Sequence, residues 1–404
     1  MRKMKDSGVD TVGFIPKHWK ETRLKYLCKV ETGNEDTQNA NPDGQYLFYV
    51  RSPIVERCDR YTFDGEGILV AGDGAGAGRI FHHVHGKYAV HQRVYRLSEF
   101  NYSSDFIHYF LSNLFPNEMD KGSAQSTVPS MRLPMLLNFK FFLPPEENAE
   151  IITHFLDAKC AEIDALIADV QAQIDVLEQY KCSVITETVT RGLNPDTEMK
   201  DSGIQWIGMI PAHWDCIRGK YILKYIQKPV REDDGVITCF RDGEVTLRSN
   251  RREDGFTMAD KEIGYQGIDV GDLVVHGMDG FAGAIGISDS RGKASPVLNV
   301  LGTEQNKRYI MYFLRSMAYS DVFLVLATGI RVRSCDLRWN KLAELFYPVP
   351  PIEEQDAIVA HIDSVLQKTN DVIADKKEQL EVLDSYKKSL IFEYVTGKKE
   401  VPQP

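Results

Sequence analysis

The sequence predicts a mixed α/β (α+β) chain: two globular α/β regions separated by two long antiparallel coiled-coil helices, with a pseudo-two-fold relation from internal duplication. Three observations predict it. Ile167–Thr190 aligns with Ile373–Thr396 at an offset of 206 residues with 13 of 24 positions identical, where unrelated segments share roughly one in sixteen. A second motif, Met4–Trp19, returns as Met199–Trp214 with 10 of 16 positions identical. Between the repeated pieces lie two regions of domain size, each with strand-like runs and Gly-rich turns first and a helix later. These regions barely resemble each other in sequence. A duplicated frame therefore carries diverged inserts, so one property is held constant while another is free to differ.

In chain order, the short motif comes first. Gly13, Pro16, Gly208 and Pro211 mark it as turn-rich, and Ile15, Trp19, Ile210 and Trp214 are expected to anchor it to a core. The first insert shows strand-like runs at Gln45–Val50, Ile68–Val70 and Tyr88–Leu97, then a helix at Ser104–Leu114. The second shows Asp272–Val275, Ala284–Ser288 and Val297–Leu301, then a helix at Gln305–Ala318. Each insert is followed by Pro-Pro and a stretch with no Gly or Pro until Gly192 or Gly397. About 45 helix-compatible residues at 1.5 Å each give a rod on the order of 60 Å. The resulting segments are a globular domain 1–143, a central long helix 144–192, a second globular domain 193–349, a second long helix 350–397 and a tail 398–404.

Within the first long stretch, Leu156, Cys160, Ile163, Ile167, Val170, Ile174, Leu177, Lys181 and Val184 follow a 4-3 spacing. Ile362, Leu366, Thr369, Ile373, Lys376, Leu380, Leu383, Lys387 and Leu390 follow it in the second. Such spacing makes a narrow apolar seam for one partner helix. Duplication predicts that the two helices pair antiparallel within the chain, with the globular domains at opposite ends; intermolecular pairing is the rival arrangement.

Composition supports folded domains: 404 residues, 43% hydrophobic and 10% aromatic. The seven cysteines include no C-x-x-C pair and are expected to be free thiols in the core. The chain has no apolar N-terminal run with a cleavage site and no apolar stretch long enough to span a bilayer, which predicts a cytoplasmic location. Net charge is −10, but its distribution matters more. Residues 146–191 carry 3 basic and 10 acidic side chains and residues 352–397 carry 5 and 10, whereas residues 20–143 balance at 14 each. The acid belongs to the helices. The inserts remain free to present basic faces to a polyanion.

Catalytic motifs are not evident. Ile68–Gly78 (I-L-V-A-G-D-G-A-G-A-G) resembles a nucleotide-binding glycine loop, but a strand rather than a helix should follow it. It is expected to be a tight hairpin whose glycines let backbone or phosphate approach closely. His82, His83, His85 and His91 cluster in sequence, with His83 and His85 on one strand face. No Cys or acid stands at a supporting ligand spacing, so they are expected to be surface or DNA-facing histidines, with no metal and no cofactor. What remains is recognition. Arg79, His91, Gln92, Arg93 and Arg96 in the first insert can contact phosphate or read base edges, although strand alternation would put His91 and Arg93 on one face and Gln92 on the other. Arg241, Arg248, Arg251, Arg252, His276, Lys293 and Ser295 are the candidates in the second insert, together with Arg331 and Arg333 just before its Pro-Pro.

The S-G-I-x-W-I-G-x-I-P-x-H-W frame at Ser202–Trp214, the P-P-x-E-E-Q helix start at Pro350–Gln355 and the paired long helices resemble the specificity subunit of Type I restriction-modification systems over essentially the whole chain. The resemblance implies that the globular domains are two target recognition domains, each reading one half of a bipartite, asymmetric double-stranded DNA target. It implies a non-catalytic chain on which two modification (methyltransferase) subunits dock, bringing S-adenosylmethionine and the adenine methyltransferase site, with restriction subunits joining for translocation and cleavage. The long helix then acts as a ruler for the half-site spacing. Two departures stand out. Val9–Val12 lacks the Trp that Trp206 supplies, and Glu146-Glu147-Asn148 replaces the fuller Glu353-Glu354-Gln355. Two other functional classes predict different behaviour: an autonomous methyltransferase would methylate DNA unaided, and a pure coiled-coil assembly protein would show no sequence-selective DNA binding.

Overall fold

Each copy of the repeated short motif folds as a small antiparallel hairpin, Met4–Asp6 with Phe14–Pro16 and Met199–Asp201 with Met209–Pro211. Ile15, Trp19, Ile210 and Trp214 are at most 1% exposed, as expected of anchors. The computed structural model describes residues 2–122, 129–251, 263–326 and 337–402. The chain forms two compact units, one of Met1–Gln171 with Lys377–Pro404 and one of Ala172–Lys376.

In the first unit, β1 (Lys29–Thr32), β2 (Gly67–Ala71), β3 (Phe81–Val84) and β4 (Val94–Ser98) form an antiparallel sheet in the order β1-β4-β2-β3. Tyr46–Tyr49, Glu56–Cys58, Phe63–Asp64 and Lys87–Val90 form a second sheet. The single strand expected at Tyr88–Leu97 is broken. Val94 N–H donates to the His91 carbonyl at 2.9 Å and closes a turn, so the chain leaves one sheet at Val90 and enters the other at Val94. The helix expected at Ser104–Leu114 continues through Pro116 as α1 (Ser104–Gly122). Its Phe106, Ile107, Phe110, Leu111 and Phe115 are fully buried in one core with Ile68, Val70 and Leu97. The insert begins and ends in one ribbon, Lys20–Arg23 paired with Lys140–Leu143. The chain then turns into the first long helix, α2 (Glu146–Arg191).

The second unit repeats this plan. Asp215–Arg218 pairs with Phe346–Val349 at the insert's two ends. β5 (Leu223–Ile226), β6 (Leu273–His276), β7 (Ile285–Ile287) and β8 (Leu298–Thr303) lie in the order β5-β8-β6-β7. This is the first unit's order strand for strand, although the two inserts share little sequence. α3 (Lys307–Tyr319) follows, its N-terminus capped by the Asn306 side chain, which accepts from the Arg308 and Tyr309 amides. The second long helix is α4 (Ile352–Val395).

Both long helices end where the uninterrupted stretch ends. Gly192 and Gly397 have φ of +74° and +67°, the left-handed conformation that terminates a helix at least cost in glycine. Inside the first unit, Leu156, Cys160 and Ile163 of α2 share a core with Leu390, Ile391 and Tyr394 of α4. Lys387 pairs with Asp164 at 2.6 Å, and the Phe155 and Tyr394 rings meet at 4.6 Å. Residue numbers rise along one helix as they fall along the other, so the contact is antiparallel. Within the second unit, Ile185 and Val189 share a core with Ile358 and Ile362, and Lys376 donates to Gln173, again antiparallel. Of the remaining seam residues, Val170, Ile174 and Ile373 are buried. Ile167, Leu177, Leu366, Leu380 and Leu383 are half-buried.

In each unit the insert's helix is also tied to a long helix by the same polar strut. Tyr109 donates to Asp157 at 2.7 Å and Tyr312 to Asp363 at 2.5 Å. The two aspartates are themselves 206 residues apart. The six cysteines among the described residues are free thiols; Cys335 lies outside them. Among the described residues, no helix is long and apolar enough to cross a membrane.

Candidate nucleic-acid interface

The glycine loop of the first insert joins β2 to β3, which pair antiparallel, so it is a hairpin and not a strand-to-helix phosphate loop. Asp73, second residue of this loop, receives two arginines: Arg51 at 3.0 Å on one oxygen and Arg93 at 2.5 Å on the other. The carboxylate is mostly buried while both guanidiniums reach solvent. Burial opposes charge on Asp73, but the Arg93 and Arg51 hydrogen bonds outweigh it and hold its carboxyl below the usual range. A Cβ on Gly76 would lie 2.7 Å from the Arg51 carbonyl, so only glycine lets the loop seat against that residue. A groove of about 620 Å³ runs over the loop, lined by Arg51, Ser52, Asp73, Gly74 and Arg79 among others.

The second insert builds the same device from different residues. Gly277–Gly283 joins β6 to β7. Asp279 in this loop takes Arg241 at 2.9 Å, and an added Cβ on Gly283 would lie 2.6 Å from the Arg241 carbonyl. In both units the segment leading to the Pro-Pro docks on the loop's first glycine: Met131 N–H donates to the Gly72 carbonyl and Leu337 N–H to the Gly277 carbonyl, each at 2.8 Å. Arginines held by a loop aspartate, with one face in solvent, are preorganised for bidentate contact with phosphate or guanine, because the fork is oriented before the ligand arrives.

The residues expected from sequence fall into distinct groups. Arg93 belongs to the Asp73 cluster. Arg79 lies on the same groove, paired with Asp120. Gln92 is at the adjacent turn, where it donates to Asp36 at 2.8 Å. His91 is buried, and its Nδ1 accepts the Arg93 amide at 3.0 Å, so it shapes the turn that presents Gln92 and Arg93. The alternation expected for these residues does not apply, since they occupy a turn. Arg96 is buried as well, bonded to Tyr88, Glu31 and the Glu66 carbonyl, and is a core residue.

In the second insert, Arg241 sits at the glycine loop. Arg251 pairs with Asp242 and Glu244 in the turn beside it and lies over the Phe240 ring. His276 accepts the Met278 and Asp279 amides on Nδ1 and so shapes the loop from within. Arg248 and Lys293 flank Val236 at the other end of the Ile237–Leu247 hairpin. Ser295 is half-buried and its carbonyl accepts the Leu298 amide. Two residues before Lys293, Arg291 grips Asp234 through two nitrogens at 2.8 and 2.9 Å and Asp269 at 2.6 Å. Arg252, Arg331 and Arg333 lie outside the described residues. Sequence reasoning missed Arg51, Asp73 and Asp279. The available signal was an aspartate inside each glycine-rich loop.

The model of the family "Type I restriction modification DNA specificity domain" matches residues 16–175. The type I restriction enzyme EcoDI specificity subunit of Escherichia coli is 22% identical over 396 residues, covering 90% of this chain and 86% of that protein. The type I restriction enzyme MjaVIII specificity subunit of Methanocaldococcus jannaschii is 23% identical over 416 residues, covering 96% and 94%. Among solved structures, a chain from work on complex assembly and conformational transition of the type I R-M system superposes with a TM-score of 0.65 at 14% identity, covering 95% of this chain and 99% of that one. That likeness concerns the fold. The chain is thus similar over nearly its full length to type I restriction enzyme specificity subunits from two distant organisms, and its residues 16–175 match the type I DNA specificity domain.

Proposed function

We propose that this chain recognises a bipartite, asymmetric double-stranded DNA sequence and directs partner subunits to it. The observation that carries this reading is the pair of inserts with one strand order and one loop device but different side chains around each loop. Identical presentation with different chemistry is what two readers of dissimilar half-sites require. Arg51, Arg79, Gln92 and Arg93 are the contacts of the first half. Arg241, Arg248, Lys293 and Ser295 are those of the second, with Arg331 and Arg333 assigned to it from sequence. Phosphate contacts position each insert and a few groups in the grooves specify bases.

The chain itself is non-catalytic and acts in the cytoplasm with modification subunits, which supply adenine methylation, and with restriction subunits for cleavage. Two modification subunits per chain are supported by a repeated surface feature. Val176 and Tyr180 on α2 are 62% and 50% exposed, and Val382 and Tyr386, at the 206-residue offset on α4, are 61% and 56% exposed. Apolar residues preserved in both copies at solvent-facing positions suit two copies of one protein partner, while the acidic helix surface keeps off the duplex. Base-resolved methylation mapping in cells that carry the modification subunits, with and without this chain, tests the proposal. Methylation should fall at a single split motif and vanish without the chain. Methyl transfer by the purified chain alone would overturn it in favour of an autonomous methyltransferase; absence of sequence-selective binding with modification subunits added would favour a pure assembly protein.

A further inference from the structure

We infer that Glu66, His83 and His85 form a site for a divalent transition-metal ion of the zinc type on the first insert. Strand pairing creates the cluster. Gly67 lies opposite Val84 and Ile68 opposite His83, so Glu66 comes opposite His85, and alternation puts Glu66, His83 and His85 on one face. A ligand atom from each lies within 4.8 Å of the other two. The acid that no local spacing supplied arrives from the neighbouring strand.

Two further features distinguish the cluster from a simple His–Glu pair. His83 Nε2 is 2.9 Å from Glu66 Oε1, while its other nitrogen, Nδ1, is 3.3 Å from Asp105 Oδ1 on α1. A carboxylate on the far nitrogen of a histidine fixes the tautomer and leaves the near nitrogen's lone pair for a metal. His108, also on α1, stacks on His83 with ring centroids 5.4 Å apart, and its buried Nδ1 has no hydrogen-bond partner among the described residues. Glu66 is itself oriented by the Ser104 hydroxyl at 2.6 Å. Two imidazoles and one carboxylate are a zinc-type set with a fourth position left for water, and imidazole donors disfavour Mg²⁺ and Ca²⁺. Bonds of about 2.0–2.2 Å require the three groups to draw together around the ion. His85 is exposed and Glu66 partly so, which leaves both side chains room to do it. A bound ion would tie the turn before β2, the end of β3 and, through Asp105, the first turn of α1.

The test uses the full chain after chelator treatment. Co²⁺ titration should give visible absorption that saturates near one equivalent and is displaced by Zn²⁺ but not by Mg²⁺, and Zn²⁺ should raise the midpoint of thermal unfolding. His85→Asn, at an exposed position, should weaken Co²⁺ binding tenfold or more, and Asp105→Asn should weaken it by about tenfold through His83. His361→Asn, on the exposed face of α4, should leave it unchanged. No saturable Co²⁺ or Zn²⁺ binding by the folded wild-type chain would overturn the assignment. So would binding that survives His85→Asn intact, or equal competition by Mg²⁺.

Discussion

The two compact units solve the same packing problem with unequal polar detail. In the second, Glu354 at the start of α4 accepts from Trp214 Nε1 at 3.1 Å and contacts His213 Nε2 at 2.8 Å. Gln355 next to it is fully buried, accepting the Asn306 amide and donating to Gln305 and the Pro350 carbonyl. In the first, aligning the two Pro-Pro pairs puts Asn148 and Ala149 at the places of Glu354 and Gln355, one residue off the Glu146-Glu147-Asn148 match expected from sequence, and Trp19 Nε1 is buried without a partner among the described residues. Apolar packing is nevertheless preserved: Trp19 and Trp214 are at most 1% exposed, each close to the glycine that ends a long helix. The lesson is that burial of the indole holds the frame, while its hydrogen bond adds an increment that one copy lacks. The inserts differ in the same manner. Strand order is shared, but Asp73 takes two arginines and Asp279 takes Arg241.

The largest effect is expected from replacing residues 20–143 with another insert of the same topology. Because Lys20–Arg23 and Lys140–Leu143 close the module as one ribbon, methylation mapping should show one half-site replaced and the other retained; alteration of both would break the modular comparison. Next is spacing. Four residues inserted at matching points of α2 and α4 lengthen each helix by about 6 Å, comparable to roughly two base pairs, so the spacer should grow by about that amount with unchanged half-site bases. An active variant with an unchanged spacer would contradict the ruler.

Single contacts come third. Arg93→Ala and Arg241→Ala should each weaken binding at one half-site, by about 1–3 kcal/mol with relaxed selectivity where the fork reads a base, or uniformly with a shallower salt dependence where it holds phosphate. Binding assays with each half-site altered in turn separate these outcomes.

The smallest effects concern stability. Glu354→Ala strands Trp214 Nε1 and should destabilise the second unit by about 1–3 kcal/mol, whereas Asn148→Glu offers Trp19 an acceptor and should stabilise the first by about 1 kcal/mol, both read by hydrogen exchange within each unit. Acid should also act unequally. Hydrogen bonds from Lys228 and Arg291 hold the Asp269 carboxyl down at about 2. A depressed carboxylate contributes stability that is complete above its unfolded value near 4 and lost as pH falls toward 2. Protection around the paired strands Gln266–Ile268 and Gly292–Ala294 should therefore decline in that window, and Asp269→Asn should reduce that pH dependence.

By itself, the sequence determined the elements that depend on local or repeated signals. The long helices follow from the absence of Gly and Pro, their stop points from Gly192 and Gly397, their seam from the 4-3 spacing, and the anchoring of Ile15, Trp19, Ile210 and Trp214 from their residue type in a turn-rich motif. The resemblance to type I specificity subunits was legible in the frame at Ser202–Trp214 and the helix start at Pro350–Gln355. Tertiary structure alone decided what depends on pairing between distant strands. The common strand order of the two inserts was hidden because topology is preserved by burial pattern while side chains drift. Arg96 and His91, polar by type, went to the interior because Tyr88, Glu31 and the Arg93 amide satisfy them there. Arg51 joined Arg93 only through Asp73, and Glu66 met His83 and His85 only through the β2–β3 register. In the Asp73 and Glu66 clusters the groups that meet are 17 to 42 residues apart, beyond the reach of helix or strand periodicity, and it is the folded sheet that brings them within bonding distance.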